Sequence, residues 1–259
     1  MRQIVRYSAL GVEATTDELV DEAPVEFRLG GVPIAVLMRT PGDDENLGLG
    51  FGLTEGIVLN PGEVKDVRRV EGTNEGDRYD IVLAEGVDVD PEQFRRNLYT
   101  SSSCGVCGKA SIDAVRVAAR SIPEGPAVEA TILRSLPATM RASQVLFNAT
   151  GSIHAAAAVD ARGDLVGIAE DIGRHNAVDK LVGRLSRKQW PLEELVLVVS
   201  GRLSFEMVQK AAVAGMPIIA GVSGASSLAV ELGEEVGMTV IGFLSEEGFN
   251  VYCGEPRIR

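Results

Sequence analysis

An α/β fold with a largely parallel sheet is predicted for the second half of this 259-residue chain, on three observations. From Gly151 onward, short apolar runs alternate with stretches of helical period, the pattern of strands joined by helical crossovers. Two small-residue loops, Ser200-Gly201-Arg202-Leu203-Ser204 and Ser223-Gly224-Ala225-Ser226-Ser227, follow apolar runs, and an open sheet collects ligands beyond its strand ends. The composition is globular, 45% apolar and 24% charged, with 29 glycines that point to loops working close to the backbone.

The elements follow in order. Residues 24–39 alternate apolar and polar side chains around Gly30-Gly31, a dipeptide that tolerates the positive φ of a two-residue hairpin turn. Thr40-Pro41 with Asp43, Asp44 and Glu45 predicts a helix capped by Thr40, with Pro41 at its first position, running to about Gly56 and weakened by its glycines. Strands over 64–70 and 79–83 flank a polar turn at 72–78, and a short helix from Pro91 leads into a cysteine loop. Helices are expected over 110–120 and over 135–147, the second with Pro137 near its start. Beyond Gly151 the expected strands are 153–159, 165–169, 195–199, 217–222 and 238–244, with a turn at 160–164 and helices over 174–187, 203–214 and 226–236. The chain thus divides into a β-rich part over 1–100, a cysteine loop and connecting helix over 101–134, and an α/β part over 135–259.

Charge excludes some functions. With 25 basic against 37 acidic residues, net −12, a broad nucleic-acid or anionic-membrane surface is disfavoured, and any phosphate site must be local. No stretch is uniformly apolar for the roughly 20 residues a membrane helix needs, so a soluble cytoplasmic protein is expected. Three cysteines, two of them closely paired, do not make a disulfide scaffold.

Four segments carry chemistry. In Ser103-Cys104-Gly105-Val106-Cys107-Gly108-Lys109, helix N-terminal amides and a nearby lysine favour thiolates, and small neighbours leave access for a second protein. Two buried structural cysteines are the bland alternative, and the chain lacks a plausible four-ligand zinc set, so no structural metal is expected. His154-Ala155-Ala156, with a Cys-x-x-Cys elsewhere, suits a zinc nucleoside deaminase only superficially: the glutamate needed two residues after the histidine is Ala156, and the cysteine pair lies upstream. His154 is therefore either a core histidine or a ligand contact. In Glu170-Asp171-Ile172-Gly173-Arg174-His175-Asn176-Ala177-Val178-Asp179-Lys180, His175 and Asp179 share a helical face, and Arg174 suits an oxyanion at a helix start. The alternative there is a solvated first turn, capped by Asp171, with Asp179 paired to a neighbour. The two small-residue loops, holding Ser200, Gly201, Arg202 and Ser223, match no Walker or Rossmann fingerprint but suggest a nucleotide-like ligand beside Arg174 and Arg202.

Read together, Met38 to Glu45, Ser103 to Gly108, Gly151 to His154, Glu170 to Lys180, Ser200-Gly201-Arg202 with Ser204-Phe205-Glu206, and Phe249 to Tyr252 resemble the formate dehydrogenase accessory sulfurtransferases, the FdhD family. The resemblance spans nearly the whole chain from Pro24. It departs at Gly224-Ala225, where Ala-Pro is expected, at Ser245, where an arginine is expected, and at Cys253, where a threonine is usual. It implies a three-layer, cytidine-deaminase-like core in 135–259 that has lost deaminase chemistry. It also implies a sulfur carrier that takes persulfide sulfur from a cysteine desulfurase and passes it to a molybdenum bis(molybdopterin guanine dinucleotide), activating formate dehydrogenase. By position, Cys104 would be the persulfide carrier with Cys107 as helper, Phe243, Leu244, Ser245, Glu246, Glu247 and Gly248 would contact the cofactor, and the protein would be a homodimer. A thiol-disulfide oxidoreductase and a cofactor chaperone with dispensable cysteines are the competing readings.

Overall fold

The computed structural model describes residues 1–71, 77–95, 122 and 124–259. An exposed antiparallel hairpin, β1 (Arg2–Ser8) with β2 (Gly11–Asp17), opens the chain, an element the sequence pattern did not reveal. Next comes the expected hairpin of β3 (Ala23–Leu29) and β4 (Val32–Arg39), turning on Gly30 and Gly31 at φ of 57° and 82°. With β5 (Val64–Arg69) and β6 (Asp77–Leu83) it forms a four-stranded sheet in the order β4-β3-β6-β5. Buried Arg39 locks that sheet to the next helix: its guanidinium donates to both carboxylate oxygens of Asp44, at 2.8 and 3.1 Å, and to Asp77 at 2.6 Å. The hydrogen bond from Arg39 holds Asp77 below the usual carboxylate range.

Helix α1 (Asp44–Thr54) starts later than Thr40-Pro41 predicts. Thr40 does not cap it, because its hydroxyl accepts the Ile172 N–H from the other half of the chain; Asp43, at φ 60°, is the N-cap instead. Its glycines are contact points rather than weaknesses. A Cβ on Gly50 would collide with the Asp179 carbonyl, and one on Gly183 with the Asn46 carbonyl, so α1 crosses the helix bearing Gly183 at a separation only glycines permit.

After α2 (Glu92–Arg95) the next described helices are α3 (Ala130–Ala142) and α4 (Val145–Thr150). One helix over 135–147 is therefore corrected to two, broken at Ser143-Gln144, and Pro137 stands inside α3 rather than near a start. The apolar stripe Leu133, Leu136, Met140 already begins before residue 135, which is why the helix does too. The helix expected over 110–120 lies outside the described residues.

The second half alternates as expected: β7 (His154–Val159), β8 (Leu165–Asp171), α5 (Arg174–Ser186), β9 (Val196–Val199), α6 (Phe205–Val213), β10 (Ile218–Gly221), α7 (Ser227–Val236), β11 (Thr239–Gly242). A further strand, β12 (Asn250–Cys253), completes a six-stranded sheet in the order β12-β11-β10-β9-β7-β8. The sheet is mixed rather than mostly parallel: β9/β10 and β10/β11 are parallel, while β7 runs against both β8 and β9, and β12 against β11. The tight turn between Asp160 and Asp164 makes β7 and β8 a hairpin, which cannot be parallel.

Alternate residues sort to the two faces of this sheet. Ala155, Ala157, Val159, Val196, Val198, Ile218, Ala220 and Ile241 pack in one apolar cluster with Leu133, Leu136 and Met140 of α3. Ala156, Ala158, Leu197, Val199, Ile219 and Val240 face α5, α6 and α7, in a cluster that continues without a break through α1 to Val25, Phe27 and Leu29 of β3.

Candidate functional site

Cys104 and Cys107, the predicted sulfur-carrying pair, lie outside the described residues. The remaining thiol, Cys253, is half-buried with its Sγ 3.4 Å from the Met238 carbonyl oxygen, and burial pushes its pKa up, so it is a poor nucleophile at neutral pH.

Beyond the carboxyl ends of β9, β10 and β11 lies a cleft of about 690 Å³. The parallel strands end there because Ser200 and Val222 lead into the loops before α6 and α7, and the segment after Gly242 turns back to β12, leaving backbone and small side chains at the rim. His154, Ser200 and Glu246 line it, together with Pro137 and Arg141 of α3, Phe147 of α4 and Gln144 from the break between those helices. Ser200 Oγ accepts the Ala155 N–H at 2.9 Å and stands 3.3 Å from His154 Nδ1, fixing the imidazole at the start of β7. A Cβ on Gly201 would sit 3.5 Å from Arg174 Cδ and 3.6 Å from the His154 ring, so these three residues pack as one group. Burial, then the positive charges of Arg174 and His175, push the His154 pKa below its ordinary value, with Asp171 opposing. A neutral imidazole results, suited to hydrogen bonding rather than to holding an anion by charge.

Other predicted contacts fall elsewhere. His175 turns toward α6, its Nε2 3.0 Å from Glu206 Oε2. Arg202 is exposed and does not line the cleft. The two small-residue loops bond to each other, Leu203 N–H to Gly224 O and Ser226 N–H to Leu203 O, both at 3.0 Å, which occupies two backbone amides in the loops expected beside a nucleotide-like ligand. The Ser223 carbonyl accepts the Phe243 N–H, and Phe243, at φ 53° and 55% exposed, is the partner ring that a Cβ on Gly224 would crowd. Leu244 is buried in the core. Ser245, standing where an arginine is expected, closes a turn with Gly248 through its hydroxyl, which leaves Glu246 and Glu247 at an exposed tip.

The charged Glu170 to Lys180 run resolves into structure. Asp171, fully buried, accepts from Thr40 N–H, Gly173 N–H, Asn176 Nδ2 and Lys180 Nζ. Lys180 also donates to the Thr40 carbonyl and Asn176 to that of Met38, docking the 38–41 segment on α5. Asp179 accepts from Thr54 Oγ1 at 2.7 Å and Lys210 Nζ at 2.9 Å, and Lys210 reaches Glu55 as well. Burial works against the Lys210 ammonium, but the charges of Asp179 and Glu55 outweigh it and hold the pKa above the ordinary lysine value. Pairing of Asp179 is thus as the alternative reading has it, but Asp171 is not the cap: Gly173 is, and Asp171 accepts the Gly173 N–H from inside the protein. Glu170 accepts the Leu146 and Phe147 N–H groups at 2.9 and 2.8 Å, fixing the start of α4 at the cleft. Sequence reasoning missed Arg141, Gln144 and Phe147, whose only signal is a polar residue at a helix break; Arg141 stacks over the Phe147 ring at 4.1 Å.

Comparison with known proteins agrees with this architecture. Curated relatives named "Sulfur carrier protein FdhD" are 48% identical in Streptomyces avermitilis, covering 99% of this chain and 94% of that one, and 44% identical in Mycolicibacterium paratuberculosis, covering 99% and 97%. The crystal structure of a proposed formate dehydrogenase accessory protein from Desulfotalea psychrophila superposes with a TM-score of 0.77 at 23% identity, covering 100% of this chain and 98% of that one, and so shares the fold. No helix among the described residues is long and apolar enough to cross a membrane. The model of the FdhD/NarQ family matches residues 20–259, and the chain belongs to that family.

Proposed function

We propose that this protein is a cytoplasmic, homodimeric sulfur carrier in formate dehydrogenase maturation, with a cysteine desulfurase as sulfur source and a molybdenum bis(molybdopterin guanine dinucleotide) as acceptor. The observation that carries the reading is the cleft beyond β9, β10 and β11, of a size for a nucleotide-like group, in a chain closely similar to proteins named sulfur carriers. A thiolate of Cys104 or Cys107 attacks the outer sulfur of the desulfurase persulfide; the new S–S bond forms as the old one breaks, and the desulfurase thiolate leaves. Transfer onto a reduced molybdenum would form the metal–sulfur bond as the carrier's S–S bond breaks, the metal supplying the two electrons that turn the terminal sulfur into sulfide while the carrier cysteine leaves as a thiolate.

His154 and Ser200 orient the substrate by hydrogen bonds, and Arg174, packed on His154 and Gly201, supplies positive charge toward its phosphates. A deaminase-like ancestry belongs to the same proposal. Helices cover both faces of the central sheet, as that fold requires, and Ala156 stands where a deaminase needs a glutamate. Intact mass after incubation with a desulfurase and cysteine should rise by about 32 Da per sulfur, and Cys104→Ala with Cys107→Ala should abolish the gain. Loading that survives in this double variant overturns the carrier assignment of the loop. A protein that only cycles a dithiol, with no mass gain, is an oxidoreductase instead.

A further inference from the structure

The geometry points to Gln144 as a specificity-determining residue that reads a carbonyl on the base of a guanine nucleotide in the cleft, with Glu246 accepting that base's neighbouring N–H groups. The inference rests on the guanine-dinucleotide reading above and assigns its base contacts. Gln144, 3% exposed, lines the cleft at the break between α3 and α4, and its amide nitrogen is enclosed without a hydrogen-bond partner. The backbone around it is committed: its N–H donates to the Arg141 carbonyl and its carbonyl accepts the Asn148 N–H. A buried donor in this state has given up its hydration without a protein partner, and its place on the cleft wall puts it where a ligand can complete the bond.

The surrounding wall selects the kind of ligand. Pro137, Met140, Phe147, Ile153, Ile172 and Val222 make it largely apolar, which suits a planar heterocycle rather than a phosphate. A neutral amide donor matches a neutral carbonyl. Glu246, at the rim, repels phosphate but accepts N–H groups. Guanine presents one carbonyl beside a ring N–H and an exocyclic amine, the complement of one donor and one carboxylate. Adenine presents a ring nitrogen lone pair where guanine has its N–H, and that lone pair would face the Glu246 carboxylate. Ser245, in place of the arginine the family resemblance predicts, leaves this tip acidic, with Glu246 as its hydrogen-bond acceptor at the cleft.

Calorimetry on the full chain with guanosine, inosine and adenosine diphosphates tests the assignment. The unmodified protein should prefer guanosine over inosine diphosphate, which lacks the exocyclic amine, and should prefer both over adenosine diphosphate by about 10-fold or more. Glu246→Gln, at an exposed position, should bring the guanosine and inosine affinities together. Gln144→Leu should weaken guanosine diphosphate by about 10-fold while desulfurase-dependent sulfur loading continues. If Gln144→Leu does not fold, the three nucleotides and Glu246→Gln decide alone. Equal binding of all three, or unchanged ratios in both variants, overturns the base contacts and leaves the sulfur-carrier reading intact. Absence of any nucleotide binding removes the guanine reading and this inference together.

Discussion

Two regions of this molecule enclose polar side chains, yet they differ in how those side chains are satisfied. Around α5, the buried groups Asp171, Lys180, Asp179 and Lys210 have their charges matched and their hydrogen bonds made, largely to α1 and the segment before it. Across the sheet, the cleft keeps a depressed imidazole at His154 and an unpartnered amide at Gln144. Satisfied polar groups inside a protein specify how its parts dock, whereas unsatisfied ones beside a cavity specify what enters it. Density of charge in the sequence does not tell these apart.

The contrast can be broken most forcefully at Lys210. Lys210→Met leaves the Asp179 carboxylate buried beside Glu55 without its cation and should cost about 3–5 kcal/mol in urea unfolding, while adding Asp179→Asn should restore a large part. A loss no larger than that of an exposed ion pair would mean the network contributes little to joining the two halves. Next in size is Gly50→Ala. The new Cβ pushes α1 off the Asp179 carbonyl, and destabilisation of about 1–3 kcal/mol is expected; an unchanged midpoint would show that the helices can separate without consequence.

The cleft should respond mildly and through pH. Because the native His154 pKa lies below the ordinary imidazole value of 6.5, the unfolded chain binds a proton in that interval that the native protein refuses. Native stability is therefore complete above about 6.5 and declines as pH falls toward the lowered value. Urea unfolding at pH 7.5 and 5.5 should show His154→Gln losing less stability than the unmodified protein between the two. Equal losses would mean that the imidazole is not held neutral by its surroundings.

What the sequence determined is local. Gly30-Gly31 admits the positive φ of a hairpin turn whatever surrounds it, and the strand and helix periods beyond Gly151 appear within a few residues of where the pattern puts them. Even the reversal of β7 was legible in the turn at 160–164, had the hairpin been weighed against the general rhythm of crossovers. Tertiary structure alone decided the roles of the polar residues. Thr40 has the side chain of a helix cap, but its hydroxyl meets the Ile172 N–H, 132 residues away, and Asp171 takes the Thr40 N–H in return. Gln144 is an ordinary residue at a helix break until folding encloses its amide against a cleft. Turn geometry and amphipathic period act over a few neighbours and are written in them, whereas the partner of a buried charge or amide depends on which distant segment the packed core brings beside it.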